Sequence, residues 1–251
     1  MNIYTAPYVS GAPDWSAVPS AEIGNLLWTE SCGVRAWAQL CWTEDALRLR
    51  LRAAERDIRA EERGLLGMPC RDSCLEFFFC PSAGDLRYFN IEFSPSGCMY
   101  LGFGRSIEEH SRLLVTGAEA LFVARTRRTD DGWEVAYRVP AEFVRRFFPE
   151  FELRRGLRLR GNFYKCGDAT VQPHYLAWNP VTSETPAFHR PWEFGEIVLG
   201  VTGALPGARR TLCGTAERPS PTRRFRIPRR FKHAAARPTR NRRGSPVNPA
   251  L

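Results

Sequence analysis

Alternation of apolar and polar residues is sharpest at residues 46–53, ALRLRLRA, where Leu47, Leu49 and Leu51 interleave with Arg48, Arg50 and Arg52. A period of two sends the leucines to one face of a strand and the arginines to a wet face. The preceding RAWAQLCW, joined through Thr43-Glu44-Asp45, supplies a partner strand. Further strands are predicted at CLEFFFC (74–80), RYFNIEF (87–93) and CMYLGF (98–103), the last two linked by the turn Ser94-Pro95-Ser96-Gly97. Residues 119–126 and 133–139 flank Thr129-Asp130-Asp131-Gly132, and Asp-Gly between apolar runs signals a hairpin. Pro140 opens one short helix, AEFVRRFF, with Phe143, Val144 and Phe147 at helical spacing and Pro149 to stop it. LRLRGNFYKC (157–166), HYLAW (174–178) and FGEIVL (194–199) complete about ten strands. The spacing predicts an all-β fold, an antiparallel β-sandwich of jelly-roll or immunoglobulin-like type, and no βαβ rhythm speaks for a nucleotide-binding sheet.

Charge divides the chain in two. The formal net charge of +9 arises in residues 202–251, which hold 13 Lys and Arg against the single acid Glu217 and leave 23 bases against 26 acids before them. Residues 1–201 therefore read as one mildly acidic folded domain. Residues 202–251, rich in Arg and Pro, read as a disordered basic tail, because they cannot bury enough surface to offset their ordering entropy. Such a tail could make weak, non-specific contacts with anions or nucleic acid. No signal-like apolar start and no run long enough to span a bilayer is present, which predicts a cytoplasmic monomer whose eight cysteines are reduced.

Chemistry-bearing side chains crowd residues 161–199. Aromatic faces beside amides, imidazoles and cations suit a polyhydroxylated ligand, whose rings offer apolar C–H faces and a hydroxyl rim. Asn162 and Tyr164 share one strand face, while Lys165, the only lysine before the tail, faces the other way and reads as solvated. Asn90 and Glu92 occupy one face of their strand, and with Glu76 and Arg71 they could grip vicinal hydroxyls. Trp178 either stacks on a sugar ring or packs in the core. Cys166, His174 and His189 match no common zinc spacing.

RDSCLEFFFCP and RYFNIEFSPSGCMY, followed by GNFYKCGD, HYLAWNPV and FHRPWEFGEIVL, resemble the carbohydrate-binding family nine-like domains, relatives of modules attached to some xylanases. The resemblance covers roughly residues 13–200. It implies a non-catalytic domain that holds a sugar or oligosaccharide end in an aromatic and polar cleft, with structural calcium. In sugar-binding members two tryptophans clamp a ring, and Trp178 in AWNP is similar to one of them. The position expected for the other holds Met68, Pro69 and Cys70, so Trp192 or Tyr164 would have to replace it. The carbohydrate-binding set is thus Trp178, Asn162, Tyr164, Arg71, Glu76, Asn90, Glu92, His174 and Trp192. Two alternatives stand beside it: a glycoside hydrolase using Glu76 and Glu92 as its carboxylate pair, and a haem-binding redox sandwich using Met99 with His174 or His189.

Overall fold

In the computed structural model, residues 1–30 and 32–202 are described. The tail predicted from residue 202 onward, with Cys213, lies outside the described residues apart from Thr202. Fourteen strands form one curled sheet. They are β1 (Ile3–Tyr8), β2 (Ser20–Glu22), β3 (Asn25–Leu27), β4 (Arg35–Trp42), β5 (Ala46–Ala54), β6 (Cys74–Cys80) and β7 (Tyr88–Phe93), then β8 (Met99–Gly104), β9 (Ser111–Arg112), β10 (Arg125–Thr129), β11 (Gly132–Pro140), β12 (Arg158–Cys166), β13 (Tyr175–Ala177) and β14 (Gly195–Thr202). The principal path runs β10-β11-β5-β4-β1-β14-β12-β6-β7-β8-β9. No helix among the described residues is long and apolar enough to cross a membrane.

The sheet is mixed rather than wholly antiparallel. β1 runs parallel to β14, Ile3 opposite Glu196, and touches β4 in parallel at Tyr8 and Trp42. It joins an arm of β10, β11, β5 and β4 to an arm of β14, β12, β6, β7 and β8. Its six residues, IYTAPY, carry a proline and only a brief alternation, so local pattern did not mark them. Tyr4 completes the join: the Leu40 N–H donates to its hydroxyl at 2.9 Å, and the hydroxyl donates to the Pro19 carbonyl at 2.6 Å.

Other elements follow their sequence closely. Along β5 the leucines are buried and the arginines partly exposed, with Arg50 paired to Glu134 at 2.6 Å on the outer face. Thr129 pairs with Gly132 across the predicted hairpin turn. A Cβ on Gly132 would lie 2.0 Å from the Ala53 carbonyl oxygen, so glycine is required there by close approach. The predicted helix is α2 (Ala141–Arg145), following Pro140. A second short helix, α1 (Ala118–Phe122), replaces the start of the strand expected at 119–126. AEALF is built of good helix formers, and Phe122 buries itself against Phe143 at 5.3 Å between ring centres.

One core cluster draws on the inner faces of both arms: Leu49, Val135, Phe77, Phe89, Phe163 and Ile197 all belong to it. Lys165 seals one end of this core and is fully buried, not solvated. Its Nζ lies 3.2 Å from Glu55 Oε2. Glu55 also accepts from Trp133 Nε1 at 2.6 Å and from Ser73 Oγ at 3.0 Å. His174 belongs to this plug: its Nδ1–H donates to the Gln172 carbonyl at 2.8 Å, which leaves Nε2 to accept from Lys165 at 2.7 Å. Burial, with Lys165 alongside, pushes the His174 imidazole down to about 4, so the ring is neutral. The plug ties Glu55 at the end of β5 to β12 and so fastens one arm to the other. Glu55→Gln should cost about 3 kcal/mol in urea unfolding, because it leaves a buried ammonium without its counter-charge. A loss below about 1 kcal/mol would show that the pair contributes little to holding the arms.

Candidate functional site

Every residue of β6 is buried, which requires cover on both faces of the sheet. Leu75, Phe77 and Phe79 join the core, and Cys74, Glu76, Phe78 and Cys80 take the other face. Register extends this division to the neighbours. Asn162, Phe78 and Asn90 form one row across β12, β6 and β7, and Tyr164, Glu76 and Glu92 form the next. A cavity of about 570 Å³ lies over these rows. Its floor includes Glu76, Asn90, Glu92 and Cys166, and its walls come from the segments at 106–110 and 186–192 with Trp28 and Tyr175.

The 186–192 segment is held from below. Phe188 stacks on Tyr164 with ring centres 4.1 Å apart, and the Tyr164 hydroxyl donates to the Phe188 carbonyl at 3.2 Å. Tyr88 and His189 Nδ1 share a 2.5 Å hydrogen bond. Glu193 accepts from Arg190 at 2.8 Å and from the Thr182 N–H at 3.1 Å, and the bond from Arg190 holds its carboxyl down to about 2. Trp28, whose φ of 56° is left-handed, is fixed by its Nε1–H donating to the Ser183 carbonyl at 2.6 Å and by its contact with Phe188. His110 lies over β8 because Gly102 is there; a Cβ at that position would meet His110 Nε2 at 2.0 Å.

Four of the residues expected from sequence meet at this cavity: Glu76, Asn90, Glu92 and Trp192, the last half-exposed at the rim with the Arg190 guanidinium 5.0 Å from its ring centre. The other five stand elsewhere. Trp178 belongs to the core, with its ring against Tyr4 and Phe163 and beneath Gly195, whose Cβ would meet it at 2.5 Å. Trp178 is buried and does not line the cavity. Asn162 is a staple: it donates to the Asn179 carbonyl at 2.9 Å and accepts from the Asn179 N–H at 2.8 Å. Tyr164 lies beneath Phe188 and supports the wall. Arg71 is exposed beside Glu62, 3.6 Å away. His174 serves the core plug on the opposite face.

The neighbours Phe188, His189, His110, Tyr100, Tyr175 and Asp168 also line the cavity. Phe188, His189 and Tyr175 fell within the aromatic-rich segment, whereas His110 and Trp28 carried no local signal. Two features mark the polar residues of the lining. Asn90 Oδ1 and both ring nitrogens of His110 are buried without a hydrogen-bond partner among the described residues. Burial, with the charge of Glu92 added, raises Glu76 well above the carboxylate range, and burial takes Glu92 up to about 7.

The chemistry of the alternatives is constrained by the same placement. Glu76 and Glu92 are cross-strand neighbours on one floor, so neither approaches a bound ring from the face opposite the other. Met99 packs against the core while His189 lines the cavity on the other side of the sheet, and His174 is in the plug. Among the described residues, the group of His, Cys, Asp and Glu with metal-ligand spacing is Cys74, Glu76 and Cys166. Its two thiols do not fit the oxygen cage of a calcium site.

The description "Carbohydrate-binding family 9" belongs to the family model that matches residues 11–199. The chain belongs to carbohydrate-binding family 9. Solved structures share its fold. A "putative carbohydrate-binding protein" from Bacteroides uniformis ATCC 8492 is similar with a TM-score of 0.68 and 24% identity over 78% of this chain and 98% of that one. A family 9 module from Caldicellulosiruptor kristjanssonii in complex with cellotriose gives a TM-score of 0.57 and 14% identity, over 85% of this chain and 100% of the module. The glucose complex of a family 9 module from that organism gives 0.57 and 14%, over 83% and 100%. No curated protein matches this family 9 chain in sequence.

Glu92 permits a test of the site's electrostatics. Its folded value lies above the ordinary 4.5, so the protonated form is favoured on folding, and that stability is lost as pH rises toward about 7. In EDTA, the unfolding free energy of Glu92→Gln relative to the parent should rise by about 1.4 kcal/mol per pH unit across that window. A flat difference would show that the carboxyl ionises as freely as in the unfolded chain.

Proposed function

We propose that this chain holds the end of a sugar or oligosaccharide, without catalysis, in the cavity over β6, β7 and β8. The observation that carries the reading is an aromatic-walled cavity whose lining brings Asn90, Glu92 and His110 together beneath the half-exposed Trp192. Hydroxyl groups donate to and accept from polar side chains of the lining, while apolar ring faces meet the aromatic wall. Trp192 takes the stacking role at the rim. Asn90, Glu92 and His110 meet the hydroxyls, and ionised Glu92 adds charge-assisted bonds. Glu76, deeper and in contact with Cys166, bounds the floor. Family membership supports the ligand class, and the side-by-side carboxylates support holding rather than hydrolysis.

Glucose and cellotriose, the ligands of the Caldicellulosiruptor modules, are natural first probes within a broader glycan panel. Calorimetry should detect binding by the parent, and Trp192→Ala and Asn90→Ala should each weaken it by about tenfold or more, the loss expected from about 1.4 kcal/mol of stacking or hydrogen bonding. Trp178→Phe should lower thermal stability and leave affinity unchanged. Absence of binding across the panel, or binding indifferent to both cavity variants, overturns the reading.

A further inference from the structure

Beneath the cavity, the outer face of the sheet places thiols and carboxyl groups together with no ion pair to them among the described residues. Cys74 and Glu76 lie two residues apart on β6 and so face the same way, and Cys166 of β12 pairs directly with Cys74. One ligand atom from each of Cys74, Glu76 and Cys166 lies within 4.8 Å of the others, and all three residues are buried. The Cys166 thiol donates to Glu76 Oε1 at 2.9 Å, and Cys74 Sγ is 4.0 Å from Glu92 Oε2. Neither Glu76 nor Glu92 has an Arg, Lys or His ion pair among the described residues; Lys165, the buried cation of β12, is committed to Glu55. Two buried carboxyl groups side by side without an ion pair either hold protons or take up a cation in their place.

We propose that Cys74, Cys166 and Glu76 form a zinc site, with Glu92 placed to supply a fourth ligand. Two sulfurs and carboxylate oxygen match the donor preference of Zn²⁺, whereas calcium and magnesium require oxygen alone. Zn–S bonds of about 2.3 Å and Zn–O bonds of about 2.0 Å in a tetrahedron put ligand atoms roughly 3.3–3.8 Å apart, so small side-chain adjustments convert the observed cluster into a coordinating one. Each thiol, and the Glu76 carboxyl where it is protonated, releases its proton to solvent as the bond to the metal forms. The ligands stand on paired strands, which fixes their spacing before an ion arrives. Glu76, Glu92 and Cys166 line the cavity, so the ion has a route from solvent. The Asp168 N–H donates to the Cys70 carbonyl at 2.9 Å and the Ala169 N–H to that of Arg71 at 3.1 Å, bracing the turn at the edge of the cluster. Because Glu92 lines the cavity as well, the metal site adjoins the proposed sugar site, and metal titration and glycan calorimetry report on the two separately.

The test uses the full chain, reduced and stripped with EDTA, titrated with Zn²⁺ by calorimetry and with Co²⁺ by absorbance. One Zn²⁺ per chain and a near-ultraviolet thiolate-to-cobalt charge-transfer band are expected. Cys74→Ser and Cys166→Ser should each remove or strongly reduce the band and weaken Zn²⁺ binding by at least about tenfold, while Cys41→Ser, on a distant strand, leaves both intact. Trp192→Ala should leave metal binding unchanged whatever it does to sugar. Circular dichroism checks folding; if the serine variants do not fold, the cobalt spectrum of the parent and the Zn²⁺ affinity of Glu76→Gln decide the matter. A parent protein that gives no charge-transfer band, metal binding that survives both serine variants, or a Cys74–Cys166 disulfide in the freshly isolated chain would each overturn the proposal.

Discussion

The register of β6 between β7 and β12 is the constraint on which the rest of this protein depends. Successive residues of β6 serve opposite environments, a phenylalanine-rich core on one side and an acidic, thiol-bearing floor on the other. A slip of one residue would bury the carboxyl groups among phenylalanines and expose the aromatic rings to the cavity. Such a slip is opposed from both sides at once. Phe77 stacks on Phe79 and Phe163 at 5.0 Å within the core, while Phe78 on the outer face meets Tyr164 and Tyr88.

Given that register, the cavity depends on a second level of fastening by groups that do not face it. Asp72 is wholly buried and accepts from Arg59 and from the N–H groups of Glu61 and Glu62, which holds the approach to β6. The reciprocal Asn162–Asn179 pair fixes the chain after β13, and Asn179 reaches on to the Glu193 carbonyl at 2.6 Å. Residues 186–192 are thereby anchored at both ends of their span. Polar residues in this half of the chain divide into fasteners of the backbone, such as Asp72, Asn162 and Asn179, and groups that line the cavity, such as Asn90 and Glu92.

The family relationship and the local chemistry bear on different questions. Structures of low sequence identity share the architecture, so the sheet tolerates wide change in the residues it carries. On its floor this chain places three sulfur-bearing residues, Cys70, Cys74 and Cys166, near two carboxyl groups, with histidines at the wall. Ligand class follows from the aromatic and hydroxyl-compatible surroundings, and the thiol cluster adds a chemistry that sugar contact alone does not use.

Much of the sheet was legible in the chain itself. Apolar and aromatic runs between turn residues located β4 to β8 and β11 to β14, with period two sharpest in β5, and turn residues located the hairpin at Asp130-Asp131, because backbone preference and alternation are local properties. The acid and amide groups of β6 and β7 were also assigned correctly to one face. Alternation, however, states only which residues share a face and leaves open what covers that face. Trp178, Asn162, Tyr164 and His174 were therefore grouped by proximity in sequence, although the sheet sends Trp178 to the core and His174 to the plug. Lys165 could be placed only once Glu55, far away in the chain, stood beside it. β1 gained its place through parallel pairing with β14, a contact between the two ends of the domain. The sequence by itself determined most strands and the pairing of hairpin neighbours; the tertiary structure alone decided which strands distant in the chain meet, and hence that Cys166 lies against Cys74 and Glu76, because such cross-strand neighbours are set by long-range register that no local period encodes.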